Sequence, residues 1–318
     1  MHVSTRLDDT QSGRQVWAAR FDERGNDPEA LADAVAGRII SALAVTKGEL
    51  TRAEYARVCG KDSASLGEYD YAMQAHDRMF GDNSAQGNAA ATAILKEGLA
   101  RYTGSAHLKL KLAWNDWRRA YNFWSDDMAP DFSSIARLAR ELEATPNLTP
   151  CIATGLHGLL SNIAMREGDW GRVLREAELT ASLAPYDAFQ ITDLAETLAP
   201  AGAYDQALAN IDFGAARNPA DADYQHALRA WALRMQGRLK ESARESQAAR
   251  MLLPYQRLQY AITLVRLGQI DQTRAEVRAA PAEDSGIDLG AWRGATVYAD
   301  PAILPGGLAG LATAGLPE

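Results

Sequence analysis

The sequence predicts a mostly α-helical solenoid, a superhelix of antiparallel helix pairs, preceded by a small N-terminal β-hairpin and helix. Two residue types recur at intervals of about 34 residues. They are the prolines Pro150, Pro185, Pro219 and Pro254 and the glycines Gly168, Gly202, Gly237 and Gly268. Self-similarity at such a period is the signature of helical repeat architectures. We therefore expect one structural unit to be copied along residues 151–281.

Apolar residues between a proline and the next glycine follow the spacing of a helix. Leu228, Trp231, Ala232 and Met235, for example, lie at i, i+3, i+4 and i+7, which places them on one helical face. A second amphipathic stretch follows each glycine. The glycine is expected to form the turn of the pair, and the proline to end the second helix, because proline has no N–H to donate.

A helix–turn–helix unit of this length, closed by proline, resembles the tetratricopeptide repeat over about four units in residues 151–281. The alternative left open is a helical bundle without repeats. Residues 60–150 are predicted to form divergent pairs, with helices at 66–80, 85–102, 107–123 and 132–144. Ser84 is a predicted N-cap, as is Asp131 or Ser133 for the fourth helix.

Four aromatic residues form one stripe on the helix predicted at 107–123 and just beyond it. They are Trp114, Trp117, Tyr121 and Trp124. Two interpretations remain open: the stripe is core between repeats, or it is a surface that binds a ligand.

Residues 1–48 follow another pattern. Segments 2–8 and 14–21 alternate polar and apolar residues as strands do, and a turn separates them. Pro28 then opens a helix that we expect to run to Leu43, with Asp27 as its cap. Because an independent sheet needs three or more strands, further strands are expected to precede this partial α/β module.

Both ends of the chain resemble one family. Segment 3–22, the helix at 28–43 and the tail at 298–318 are similar to the C-terminal tetratricopeptide-repeat region of bacterial class III adenylate cyclases and winged-helix regulators. The resemblance implies an α/β module before the repeats and a capping segment and tail at 282–318. It also implies a chain without the catalytic or DNA-binding domain. A standalone remnant, a truncated reading frame and the partner of a separately encoded effector all fit.

Composition excludes several classes. A formal net charge of -8 argues against nucleic-acid binding, which needs surplus Lys and Arg. No window approaches the roughly 20 apolar residues of a membrane helix, so no membrane insertion is expected. Two cysteines in 318 residues indicate no disulfide framework and favour a cytoplasmic location.

Residues suited to chemistry are scattered. None of the five histidines has a partner at i+4, as a helical zinc site would require. No Walker loop or Gly-x-Gly-x-x-Gly sequence occurs. We therefore predict no catalytic, cofactor-binding or metal-binding residues, no cofactor, and a protein that is not an enzyme.

The remaining candidate for a functional site is a binding surface. The tetratricopeptide resemblance implies that the first helices of successive units line a concave groove. Its register selects Asn162, Met165, Phe189, Glu196, Tyr224, Trp231 and Arg234. Exposed rings would give contact area and Arg234 would bind a carboxylate; alternatively, these residues pack against neighbouring helices.

The predicted function is a non-catalytic scaffold that binds a protein or peptide partner, with a regulatory role in bacterial signalling. One alternative is a component of an adenylate cyclase whose catalytic domain is not in this chain. The other is the sensor region of a transcriptional regulator.

Overall fold

The structure is a computed structural model that describes residues 2–10, 12–22, 25–43, 48–125, 127–280 and 287–318. It opens with a small module of two strands and two helices. These are β1 (His2–Asp8), β2 (Gln15–Asp22), α1 (Pro28–Leu43) and α2 (Glu49–Cys59). The strands are antiparallel, with Val3 opposite Phe21. The predicted small N-terminal sheet is confirmed.

Antiparallel helix pairs follow. They are α3 (Glu68–Gly81) with α4 (Ala85–Arg101), α5 (Ala106–Tyr121) with α6 (Ala129–Glu143), α7 (Pro150–Glu167) with α8 (Trp170–Leu183), α9 (Ala188–Asp193) and α10 (Ala195–Leu198) with α11 (Tyr204–Arg217), α12 (Ala222–Met235) with α13 (Leu239–Ala248), and α14 (Pro254–Arg266) with α15 (Ile270–Ala279). Helices α16 (Leu289–Ala295) and α17 (Ile303–Ala314) close the described chain. Short 3₁₀ turns lie at Ser63–Ser65 and Pro219–Asp221. The mostly α-helical solenoid is therefore confirmed. The domain boundary expected at 281–282 lies outside the described residues.

The recurrent glycines form the turns of the pairs. Gly168, Gly202, Gly237 and Gly268 have φ angles of 73°, 86°, 80° and 76°. In the first turn the Asp169 N–H donates to Ala164 O at 2.9 Å, a bond that closes a helix C-terminus. Ala203 and Leu198 make the same bond one unit later. This left-handed backbone conformation favours glycine, because a Cβ would approach the following carbonyl oxygen.

The prolines act differently from the expectation at two places. Pro150 and Pro254 are the first residues of α7 and α14, whereas the preceding second helices end at Glu143 and Ala248. Proline suits this position, because the first N–H of a helix has no partner within it. At Pro185 and Pro219 the second helix does end two residues earlier, as expected.

The predicted side-chain caps are confirmed for the two helices whose starts were predicted correctly. The Ser84 hydroxyl accepts the Gly87 N–H at 3.0 Å, and the Asp27 carboxylate accepts the Glu29 N–H at 3.0 Å. The cap expected for α6 is wrong, since α6 begins at Ala129 and Asp131 lies inside it. Asp131 instead accepts hydrogen bonds from the Arg119 guanidinium on α5. Its carboxylate therefore joins the two helices of a pair.

The inner face of the superhelix brings distant repeats together. Phe80 of α3 contacts Phe189 of α9, with ring centroids 6.0 Å apart. Tyr121, the last residue of α5, contacts Tyr255 near the start of α14 at 4.3 Å. These contacts join helices that belong to non-adjacent pairs. The superhelix is therefore tightly wound, and its first helices meet across the axis.

The four residues of the aromatic stripe differ in burial, so neither interpretation applies to all of them. Trp117 and Tyr121 are 3% and 8% exposed and belong to the core, so the core prediction is confirmed for them. Trp114 and Trp124 are half-buried. The Trp114 indole N–H donates to Gly155 O at 3.0 Å and thereby ties α5 to α7.

Candidate functional site

A half-buried crevice lies on the inner face, where the first helices of several pairs meet. We name it the acid–aromatic crevice and define it by Phe80 (α3), Arg118 (α5), Phe189 and Asp193 (α9), Glu196 (α10) and Tyr224 (α12). All six side chains are neither fully buried nor fully exposed. The helical repeat brings them together, because the first helix of each pair faces the axis of the superhelix.

Three rings line the crevice. Phe80 meets Phe189 edge to face, with the planes at 90°. Phe189 stacks on Tyr224, with centroids 6.4 Å apart and planes at 24°. The Arg118 guanidinium carbon lies 4.8 Å from the centre of the Phe80 ring, a cation–π contact. The rings hold one another in place and leave part of their surface open.

The charges of the crevice are not balanced by ion pairs. The Tyr224 hydroxyl donates to the Asp193 carboxylate at 2.6 Å. Arg118 donates to Asn83 Oδ1 at 2.6 Å and to Met79 O at 3.1 Å. Within the part of the chain that the structure describes, neither Asp193 nor Glu196 has a basic group within 4 Å. Two carboxyl groups therefore share a crevice whose only arginine is engaged elsewhere.

Burial raises the pKa values of both carboxyl groups in the crevice. Desolvation, and then the neighbouring Asp193, raises the pKa of Glu196 to about 8. Desolvation also raises the pKa of Asp193 to about 6, against the hydrogen bond from Tyr224 and the charge of Arg118. A buried carboxyl keeps its proton because the charged form loses its hydration. At neutral pH the Glu196 carboxyl is therefore mainly protonated and able to donate a hydrogen bond.

This shift predicts a pH dependence of stability. Glu196 in the unfolded chain ionises near its ordinary pKa of 4.5, but in the folded chain only near 8. The unfolded state loses its proton first, so the free energy of unfolding falls as pH rises from 4.5 towards 8. The Glu196→Gln variant lacks this loss. Its stability relative to the parent protein should rise by about 3 kcal/mol between pH 5 and pH 8 in urea titrations, at about 1.4 kcal/mol per pKa unit. The exposed Glu178→Gln serves as the control, and equal pH profiles for the parent and Glu196→Gln would contradict the assignment.

The residues selected from the repeat register divide into two groups. Phe189, Glu196 and Tyr224 lie together in the crevice and are partly exposed. Asn162, Met165, Trp231 and Arg234 are buried, with exposures of 3%, 2%, 4% and 1%. The expectation of an exposed set that includes these four needs correction. Their side chains pack inside the superhelix, because its inner face is filled rather than open.

A C-terminal segment supplies part of this filling. Residues 287–300, which we name the strap, run across the inner face. Trp292 is fully buried against Phe123 and Tyr255, with ring centroids 6.1 and 4.9 Å away. The Arg166 guanidinium donates to Gly294 O at 2.8 Å, and the Ala299 N–H donates to Pro200 O at 2.9 Å. The strap, which contains α16, thus contacts helix pairs that are far away in sequence.

Three crevice residues were not predicted from the sequence: Phe80, Arg118 and Asp193. Phe80 and Arg118 lie in the divergent pairs before residue 151, where no repeat register could be assigned. Asp193 had a usable signal, since it lies three residues before Glu196 and so shares a helical face with it. The position of the strap had no signal in the sequence, because a short helix with irregular flanks has no periodicity that indicates where it packs.

Comparisons with known proteins add little to this geometry. The sequence matches no protein-family model and no curated protein. Among solved structures, the chain is similar to a tetratricopeptide repeat protein from Parabacteroides merdae, with 9% sequence identity and a TM-score of 0.48. That alignment covers 89% of this chain and 98% of the other. A likeness at this level says nothing about function.

The class of the molecule follows from its own helix pairs. Their length, their glycine turns and their inward-facing first helices define a tetratricopeptide-like α-solenoid. Across the described ranges, no helix is both long and apolar enough to cross a bilayer. Over those same residues, no group of three or more His, Cys, Asp or Glu side chains is arranged to hold a metal ion.

Proposed function

We propose that this protein is a non-catalytic scaffold that binds a segment of a protein partner in the acid–aromatic crevice. The observation that carries the proposal is the meeting of three partly exposed rings with two carboxyl groups that lack ion pairs. Aromatic residues supply much of the energy of protein interfaces, and polar groups beside them supply specificity. Because the strap fills the inner face around Trp292, the crevice is the part of that face that we assign to a partner.

The register-selected residues have different roles in this proposal. Phe189, Glu196 and Tyr224 contact the partner directly. Asn162, Met165, Trp231 and Arg234 support the shape of the inner face from within the core. Replacing a buried residue such as Trp231 would disturb the fold as well as binding, so variants for binding tests should come from the crevice.

A peptide library screened against the purified protein tests the proposal. Selected peptides should bind the parent protein and lose about tenfold in affinity to Phe189→Ala, as expected for one aromatic anchor worth about 1.4 kcal/mol. Fluorescence anisotropy with labelled peptides measures the loss. Tyr186→Ala is the matched control, since this ring is 73% exposed and lies outside the crevice. Failure to select any peptide, or equal binding to both variants, would count against the crevice.

We further propose a regulatory role in bacterial signalling, with the protein located in the cytoplasm. The support is the resemblance of segments 3–22 and 298–318 to the repeat regions of adenylate cyclases and winged-helix regulators. Reading the DNA upstream of this gene tests the proposal. A cyclase or winged-helix frame there would support it, and a neighbourhood without any signalling gene would argue against it.

A further inference from the structure

The Arg234 guanidinium lies beneath the strap without a counter-charge. Its side chain is only 1% exposed. Arg234 Nη2 donates to Gln259 Oε1 and, at 3.3 Å, to the hydroxyl of Tyr298 on the strap. The Nε–H has no hydrogen-bond partner. Among the described residues, no carboxylate lies within 4 Å of this guanidinium. A buried charge without a partner is strongly unfavourable.

Two indole groups nearby also lack acceptors. The Nε1–H groups of Trp231 and Trp292 are buried and have no hydrogen-bond partner. Both rings contact the Tyr255 ring, at centroid distances of 5.8 and 4.9 Å. Trp231 lies one helical turn before Arg234 on α12. The core under the strap therefore contains several N–H donors without acceptors, and the buried Thr296 hydroxyl on the strap also has no partner, a condition that a bound ion, ligand or water usually relieves.

Among the described residues, two carboxyl groups near this region are those of Asp300 and Glu196. Asp300 follows the strap residue Ala299 and accepts the Ala302 N–H at 2.9 Å, at the start of α17. Its side chain is exposed. Glu196 belongs to the crevice, where burial raises the pKa of its carboxyl to about 8 and keeps it mainly protonated at neutral pH. Within the described residues, what is missing beside Arg234 is thus a negative charge that also accepts hydrogen bonds.

We propose that Arg234 anchors a binding site for an oxyanion, either a carboxylate or a phosphate group, beneath the strap. The oxyanion accepts the Arg234 Nε–H and compensates the guanidinium charge, as oxyanions do in other arginine sites. Because Arg234 is buried, the ligand enters when residues 294–300 move. Two bonds hold this part of the strap to distant helices, Arg166 to Gly294 O and Ala299 N to Pro200 O. The site goes beyond the partner-binding crevice and does not depend on it.

Thermal unfolding with defined anions tests the site. Sodium phosphate and sodium acetate are titrated against sodium chloride at equal ionic strength. In the parent protein, at least one oxyanion should raise Tm saturably, by at least about 3 °C. The Arg234→Met variant should lose this response. In chloride alone, Arg234→Met should unfold at the same or a higher temperature than the parent, because it removes an unpaired buried charge. Phosphate or acetate acting alone identifies the source of the oxyanion.

A second measurement on the parent protein keeps the proposal testable if Arg234→Met fails to fold. In nitrogen-edited NMR spectra, the indole signals of Trp231 and Trp292 should shift saturably with the same anion, whereas the half-buried Trp17 of the N-terminal hairpin is the reference. Asp300→Asn controls for a carboxylate of the chain itself and should retain the anion response. The site is disproved if neither oxyanion differs from chloride, or if Arg234→Met responds as the parent does.

Discussion

Replacing Trp292 by alanine is expected to lower the free energy of unfolding by about 4 kcal/mol. The Trp292 ring is fully buried and contacts Phe123 and Tyr255. Loss of the ring removes apolar contacts and leaves a cavity that the tightly wound helices cannot close fully. The change also detaches the strap from two distant helix pairs. Urea denaturation followed by circular dichroism measures the loss.

Met251→Ala is the control for this variant, because Met251 is 59% exposed. It should change the free energy of unfolding by less than about 0.5 kcal/mol. Hydrogen exchange gives a separate reading, since amides of the strap and the start of α14 should exchange faster in Trp292→Ala. A loss below about 1 kcal/mol would show that the strap is a loosely attached tail and does not bind the repeats together.

The periodic part of the fold could be predicted because its causes are local. Glycines such as Gly168 and Gly202 mark turns by backbone conformation, and apolar spacing on α12 marks the buried face of a helix. These signals depend on residues a few positions apart. The start of α6 and the roles of Pro150 and Pro254 were misjudged, because a cap or a proline indicates a boundary without showing which side of it the helix occupies.

The candidate site was predicted only in part for a different reason. The repeat register correctly selected inner-face positions such as Phe189 and Tyr224. It could not indicate how tightly the superhelix winds, which follows from contacts as distant as that between Tyr121 and Tyr255. Winding, together with the strap, determines that Trp231 and Arg234 are buried. Exposure of an inner-face residue is therefore a property of the whole array, whereas helical periodicity is a property of one helix.

Gly87 on α4 is another position where packing within the whole array decides the effect of a residue. The Gly87→Ala substitution is expected to lower the free energy of unfolding by about 3 kcal/mol. From sequence alone, alanine would be favoured over glycine inside a helix by about 1 kcal/mol. In the fold, a Cβ at Gly87 would lie 2.1 Å from Asp82 O and 2.9 Å from Arg78 O. Both atoms are backbone carbonyl oxygens, which cannot rotate away as a side chain would. The sign of the effect is therefore reversed.

Relief of that clash would require α4 to move away from the end of α3. Asn88, the next residue, joins α4 to α5 through its Nδ2, which donates to Asn115 O at 2.8 Å. A shift of α4 therefore also strains a buried polar contact, which adds to the cost. Gly104→Ala is the matched control, since no atom lies within 4 Å of a Cβ there. Urea titrations should show a large loss for Gly87→Ala and almost none for Gly104→Ala; equal stabilities would mean that the two helices are packed less closely than the structure indicates.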